Sequence, residues 1–157
     1  AGDLPVDISC VISNHPRGEA NNIREMLNKY GIPYYHLPTS PNDKATDSTP
    51  RRQEQAMLDI LAPTDFVVLA RYMQVLSGAF LNEYGRDVIN IHHGLLPSFK
   101  GARPYKQAYD AGVKIIGATS HFVTEELDAG PIIQQLVERV SHRDGLVTFK
   151  SRSQNLE

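Results

Sequence analysis

The sequence predicts one α/β domain, with helices on both faces of a mostly parallel sheet. Two observations lead to this fold class. Short apolar segments alternate with amphipathic ones along the 157 residues, which is the pattern of strands joined by crossover helices. The last two apolar segments are joined by residues 124–131, which show no helical pattern. So short a return favours antiparallel pairing, and we therefore expect a mixed sheet with an antiparallel C-terminal strand.

Six apolar segments have the length of strands and are bounded by turn residues or glycine. They span residues 8–12, 32–37, 66–70, 88–92, 115–123 and 132–140. The segment 66–70 (Phe-Val-Val-Leu-Ala) is the most apolar, and buried parallel strands carry near-continuous apolar runs. We therefore expect this strand to lie at the centre of the sheet.

Amphipathic stretches with helical spacing lie between the strands. They span residues 19–30, 51–61, 77–84 and 105–111. The first stops at Gly31, as a helix with a glycine just past its end does, and Ser77 is a candidate N-cap for the third. Residues 38–50 are rich in Pro, Thr, Ser, Asn and Asp and predict a long loop. Residues 145–157 form a polar stretch that does not close the pattern.

Composition excludes several classes of protein. The chain has 16 Lys and Arg against 18 Asp and Glu, a net charge of -2, so it has no basic excess for nucleic acid. No apolar run approaches the roughly 20 residues of a membrane span. The lone cysteine, Cys10, excludes an internal disulfide framework and fits a reducing compartment. We expect a cytoplasmic protein, with an organellar location left open because the N-terminus looks abrupt.

Polar side chains close the strand predicted at 88–92. Asn90 and His92 are two residues apart, so on an extended backbone they point to the same side. An amide donor beside an imidazole suits a carbonyl oxygen that becomes an oxyanion. The same pattern also fits an asparagine that caps a turn and a hydrogen-bonded core histidine. His93 points to the opposite side.

Two further segments follow strand ends. Residues 119–131 carry three acidic residues, Glu125, Glu126 and Asp128, one of which could reach His92 and relay a proton. Spacing alone does not choose among these carboxylates. Residues 70–77 could bind a flat heterocycle, with the backbone making hydrogen bonds and apolar side chains covering the ring. An ordinary strand-to-helix connection explains this segment equally well.

The sequence lacks the motifs of several other kinds of site. Neither His-x-x-x-His nor Cys-x-x-Cys occurs, and the adjacent His92 and His93 face opposite ways, so we predict no metal site. The glycine-rich motifs of dinucleotide and phosphate loops are absent, and with them the signal for a nucleotide cofactor. The Gly-x-Ser-x-Gly elbow of serine hydrolases is absent too.

Two long patterns resemble a known family. Residues 90–101 contain Asn-x-His, Leu-Leu-Pro and Phe-x-Gly, and residues 117–134 contain Val-Thr-x-x-Leu-Asp-x-Gly-Pro. Together they resemble the formyltransferase domain that handles 10-formyltetrahydrofolate. The segments at 12–16, 70–77 and 100–105, with His-His at 92–93, are most similar to the formyltetrahydrofolate deformylases. The resemblance extends over about residues 8–144.

The resemblance implies a Rossmann-like formyltransferase fold and specific site residues. The catalytic residues of the family fall on Asn90, His92 and Asp128, and we expect Asp128 to pair with His92 and favour its charged form. The residues implied for folate binding are Met73, Gln74, Val75, Leu76, Val123, Thr124, Glu125 and Leu127. The folate is the substrate, and neither a cofactor nor a metal is implied. Gly94 departs from the small polar residue that the family's hydrolases often carry there.

The implied function is hydrolysis of 10-formyltetrahydrofolate to formate and tetrahydrofolate, in one-carbon metabolism and formate supply for purine synthesis. Alternatives are formyl transfer to an amine such as glycinamide ribonucleotide, a non-catalytic folate-binding fragment, and an unrelated binding module. The expected partner is a small-molecule folate, with a homo-oligomer left open.

The resemblance also implies that residues 1–157 are a catalytic domain truncated at both ends, with a closing C-terminal helix cut at residue 157. The family's hydrolases have an ACT domain and a central strand before residue 8, so we expect the neighbours of that strand to expose unpaired edges.

Overall fold

The computed structural model describes residues 5–16, 22–40, 42–46 and 48–156. Within them the elements are β1 (Val11–Ser13), α1 (Asn22–Lys29), β2 (Tyr34–His36), α2 (Arg52–Leu61), β3 (Phe66–Leu69), α3 (Gly78–Tyr84), β4 (Asp87–His92), α4 (Pro104–Asp110), β5 (Ile115–Phe122), β6 (Ile132–Arg139) and α5 (Leu146–Asn155). All six predicted strands and all four predicted helices are present, with small shifts at their ends. Residues 19–21 of the first predicted helix lie outside the described residues.

The strands form two separate sheets. β1 and β2 make a parallel pair, and the second sheet has the order β3-β4-β5-β6. β3 and β4 are parallel, whereas β5 runs antiparallel to both β4 and β6. The α/β fold with a mixed sheet is therefore confirmed. The reversed strand is β5, and the C-terminal strand β6 returns to the direction of β3 and β4.

Two apolar cores hold the helices against the strands. The larger core joins α2, α3, β3 and β4, and Phe80 at its centre is completely buried. The smaller core joins α4, β5 and α5, where the rings of Tyr109 and Phe149 meet edge to face at 5.2 Å. Helix α5 was not located by the apolar pattern, although the family resemblance implies a closing helix at this end of the chain. It forms because Phe149 and Ser153, one helical turn apart, share a buried face.

A cleft of about 1080 Å³ separates the two sheets. It lies between residues 8–14 and 66–70, which pack against the same core with α2 but do not pair with each other. The expectation that β3 is central is therefore wrong for the described residues: β3 lies at a sheet edge, and the side chain of Val68 is 53% exposed. The expected unpaired edges are present on both sides of this cleft.

Among the described residues, no helix has the length and apolar character needed to cross a membrane.

Candidate active site

The site begins at the carboxyl end of β4, which lies between β3 and β5. The register sets Asn90 opposite His121 and His92 opposite Thr119. In the first pair, the Nδ2 atom of Asn90 lies 3.3 Å from the Nε2 atom of His121. In this orientation the Asn90 amide donates to His121, and its second N–H remains for another acceptor.

Asp128 reaches this strand end from the connection between β5 and β6. Its backbone lies in the left-handed region, with φ of 52°, which aspartate tolerates better than most residues. Two residues on, a Cβ atom at Gly130 would overlap the carbonyl oxygen of Phe122, so only glycine permits this close return. The backbone N–H of Gly101 donates to Asp128 Oδ2 at 2.8 Å. The turn therefore holds the carboxylate inside the protein.

The carboxylate of Asp128 faces the ring of His92. Asp128 Oδ2 lies 3.4 Å from His92 Nδ1, and both side chains are buried. On the other side of the ring, His92 Nε2 lies 2.9 Å from the carbonyl oxygen of Phe99. Because a carbonyl oxygen can only accept, Nε2 carries a hydrogen. Both ring nitrogens therefore face acceptors, and a proton delivered to Nδ1 would be held by Asp128.

Burial lowers the pKa of His92 below its ordinary value, and this effect outweighs the opposing charge of Asp128. The charge of Asp128 does favour the imidazolium, as expected, but its effect is smaller than that of burial. Removal from water disfavours the imidazolium more than one carboxylate at this distance favours it.

His121 is a member of the cluster that the sequence analysis missed. Its Nδ1 atom donates to the carbonyl oxygen of Phe122 at 2.9 Å. Its Nε2 atom contacts Asn90 and lies 3.8 Å from Asp128 Oδ1. Asp128 thus sits between two histidines, and His121 connects it to Asn90. The available signal was a histidine in a strand just before the acidic segment, but only the β4–β5 register reveals its partners.

The turn after β4 is fixed by Thr119, which is completely buried. Its hydroxyl donates to the carbonyl oxygen of Gly94 at 2.7 Å and accepts from the N–H of Leu96 at 3.1 Å. An added Cβ atom at Gly94 would lie 3.1 Å from His92 Nε2 and 2.9 Å from the Cβ atom of Pro104. Glycine at position 94 therefore allows the turn to close tightly over the His92 ring.

The predicted binding segment 73–76 leaves β3 toward α3. Met73 is 77% exposed and Val75 is 53% exposed, so both side chains are open to a ligand, and Gln74 is half-buried. Leu76 instead packs in the larger apolar core, where it cannot cover a bound ring.

The second predicted segment, 123–127, follows β5. Val123 donates its N–H to Val88 at 2.7 Å and packs against the larger core, while Thr124 and Leu127 are exposed. The side chain of Glu125 lies against Gly78, at the start of α3. The two predicted binding segments therefore meet at this helix end.

The structure brings Asn90, His92 and Asp128 into one cluster through His121. The two other candidate carboxylates lie elsewhere: Glu126 is 3.5 Å from Lys100 at the surface, and Glu125 packs against α3. Among the described residues, no group of three or more His, Cys, Asp and Glu side chains could hold a metal ion.

Comparison with known proteins assigns the chain to a family. The family model for formyl transferases matches residues 1–157. The chain belongs to the formyl transferase family. Over 156 residues it is 60% identical to formyltetrahydrofolate deformylase 2, mitochondrial, of Arabidopsis thaliana, covering 99% of the chain and 45% of that protein.

Solved structures give the same grouping. A formyltetrahydrofolate deformylase from Pseudomonas syringae pv. tomato is 49% identical with a TM-score of 0.82, covering 96% of the chain and 48% of that protein. A phosphoribosylglycinamide formyltransferase from Anaplasma phagocytophilum is 38% identical with a TM-score of 0.78, covering 96% of the chain and 67% of that protein. The chain spans about half the length of the two deformylases.

Proposed function

We propose that this chain is the catalytic part of an enzyme that hydrolyses 10-formyltetrahydrofolate to formate and tetrahydrofolate. The observation that carries the proposal is the buried contact between His92 and Asp128, in a cluster that includes Asn90. The identity of 60% to a protein named formyltetrahydrofolate deformylase supports the choice of substrate and reaction.

In the proposed reaction, water attacks the formyl carbon and the carbonyl oxygen becomes an oxyanion. The free N–H of Asn90 donates to this oxyanion, and the positive charge of His92, once the ring is protonated, stabilises it as well. Asp128 accepts a proton from the attacking water and, with His92 Nδ1 beside it, returns that proton to the folate nitrogen as the C–N bond breaks. Formate and tetrahydrofolate leave, and the residues regain their original protonation.

The neutral His92 of the free protein fits this sequence. A ring that is neutral before substrate binds can take the water proton from Asp128 at Nδ1, and the ionised Asp128 then stabilises the imidazolium until the proton returns to the folate nitrogen through Asp128. The proposal needs neither a metal nor a redox cofactor, and the folate is a substrate.

The second candidate function is formyl transfer to an amine such as glycinamide ribonucleotide. The TM-score of 0.78 to a phosphoribosylglycinamide formyltransferase supports it, because the same cluster could deliver the formyl group to an amine. A third candidate is a folate-binding protein without turnover. The lower identity of that transferase, 38% against 49% for the deformylase structure, makes hydrolysis the better-supported reaction.

The expected partner remains a small-molecule folate, and a homo-oligomer remains open. The formate produced would serve purine synthesis. The relative from Arabidopsis is named mitochondrial, which supports an organelle as the compartment in place of the cytoplasm expected from the sequence.

An assay without any amine acceptor tests the proposal. The purified protein is incubated with 10-formyltetrahydrofolate, and formate and tetrahydrofolate are measured together. We expect equal amounts of both products, formed about 10²–10⁴ times more slowly by the Asp128→Asn variant. Formyl transfer to glycinamide ribonucleotide without formate release would replace the hydrolase by the transferase, and binding without either product would indicate a non-catalytic protein.

A further inference from the structure

We propose that Glu54, on helix α2, is a positioning residue that fixes the segment 73–77 in the shape that binds folate. The inference rests on the proposed function, because it concerns how the folate-binding segment is held. Glu54 lies outside the catalytic cluster, and its side chain is 0% exposed.

The carboxylate of Glu54 makes three hydrogen bonds to the ends of two helices. It accepts from the backbone N–H of Ser77 at 2.9 Å and from the Ser77 hydroxyl at 2.6 Å. It also accepts from the backbone N–H of Arg51, at the start of its own helix, at 2.9 Å. Hydrogen bonds to an ionised acceptor are stronger than neutral ones, so the carboxylate ties the start of α3 to the start of α2.

Arg51 extends this connection to the middle of the segment. Its Nη1 atom lies 3.4 Å from Glu54 Oε1 and donates to the carbonyl oxygen of Val75 at 3.0 Å. Residues 75 and 77 are therefore both linked to one buried carboxylate. Between β3 and α3 the backbone has no regular structure of its own, so these contacts determine where Met73 and Val75 are presented.

The contacts of Glu54 also affect the second predicted binding segment, residues 123–127. Ser77 is the N-cap of α3, since its hydroxyl accepts from the N–H of Phe80 at 3.1 Å. The next residue, Gly78, has no side chain, and an added Cβ atom would lie 2.8 Å from Glu125 Oε1. The segment 123–127 is thus packed on the helix end that Glu54 holds.

A buried carboxylate is costly unless its oxygens are fully partnered. Here three N–H or O–H donors and an arginine compensate it. The Glu54→Gln variant keeps the shape but removes the charge, and an amide nitrogen cannot accept from Arg51 or Ser77. This substitution should therefore loosen the segment 73–77 with little change of volume.

The test compares Glu54→Gln with Asp59→Ala, which alters an exposed acid on the same helix. The dissociation constant for tetrahydrofolate, the KM and kcat for 10-formyltetrahydrofolate, and the melting temperature are measured for each. We expect Glu54→Gln to raise the dissociation constant and KM about tenfold, because a charge-assisted bond is lost, with a smaller change in kcat. Asp59→Ala should match the unmodified protein.

Ser77→Ala removes the hydroxyl that donates to Glu54. This variant tests the same contact if Glu54→Gln folds poorly. It should also weaken tetrahydrofolate binding, and the double variant should be no weaker than Glu54→Gln, because both act through one contact. Unchanged binding by both folded variants, with only lower melting temperatures, would overturn the inference and leave a structural role. Failure of the unmodified protein to bind tetrahydrofolate would instead overturn the proposed function, and this inference with it.

Discussion

Asp128 Oδ2 lies 3.4 Å from Nδ1 of His92, and both side chains are buried. The opposite ring nitrogen donates to the carbonyl oxygen of Phe99, so the ring orientation is fixed from both sides. The ring nitrogen that faces Asp128 carries no hydrogen when the ring is neutral. A buried carboxylate beside such a nitrogen can pass a proton to it and take the proton back. The four predictions below test this pair and the structure around it.

Replacing Asp128 by Asn should stop the proposed proton transfer while leaving folate binding largely intact. General acid–base catalysis contributes about 10²–10⁴-fold, so kcat should fall by a factor in this range. The measurement is kcat for formate release together with the dissociation constant for tetrahydrofolate. Glu126→Gln, which alters an exposed neighbour paired with Lys100, is the matched control and should be normal. Normal turnover by Asp128→Asn would remove Asp128 from the mechanism.

Replacing Asn90 by Ala should remove one oxyanion donor. Loss of such a donor costs about 2.7–4 kcal/mol of transition-state stabilisation in other enzymes, or about 10²–10³ in kcat. His121 Nε2 would also lose the donor that faces it. Steady-state kinetics, with the melting temperature as a check on folding, would measure the effect. A folded variant with full kcat would show that Asn90 does not contact the reacting carbonyl.

Stability should fall as the pH drops below about 6.5, the ordinary pKa of histidine in an unfolded chain. Burial lowers the pKa of His92 in the folded protein, so the unfolded chain binds this proton more readily. The contribution of His92 to stability is therefore complete above its pKa in the unfolded chain and is lost as the pH falls through its pKa in the folded protein. The free energy of unfolding can be measured with urea at about pH 5 to 8, the range in which histidine titrates. Its slope against pH should be smaller for His92→Gln than for the unmodified protein. Equal slopes for both proteins would contradict the lowered pKa.

The open edges beside the cleft should exchange their amide hydrogens quickly. β5 pairs on both sides, whereas in the described residues β1 pairs only with β2 and β3 only with β4. Alternate amides of β1 and β3 point into the cleft and should therefore exchange faster than those of β5. Hydrogen exchange followed by NMR would show this residue by residue. Uniform protection across β3 would mean that the cleft is closed in solution, and slower exchange in a longer polypeptide would mean that an added strand fills it.

Local pattern was sufficient for the elements and for part of the site. The period of apolar residues located six strands and four helices, because side-chain spacing along a strand or helix is a property of the backbone itself. Ser77 was identified as an N-cap for the same reason, and its hydroxyl does accept from Phe80. Asn90 and His92 share one side of β4 because they are two residues apart.

The sequence by itself determined the alternation of elements, the residue types that gather at the end of β4, and the family resemblance. The family resemblance chose Asp128 over the two glutamates, but only the tertiary structure decided the contact between Asp128 and His92, the place of His121 in the cluster, and the position of β3 at an edge beside a cleft. The physical reason is that local periodicity fixes how a segment folds, whereas register, long-range packing and burial fix which segments meet. Those contacts depend on the whole chain at once, so no single window of residues contains them.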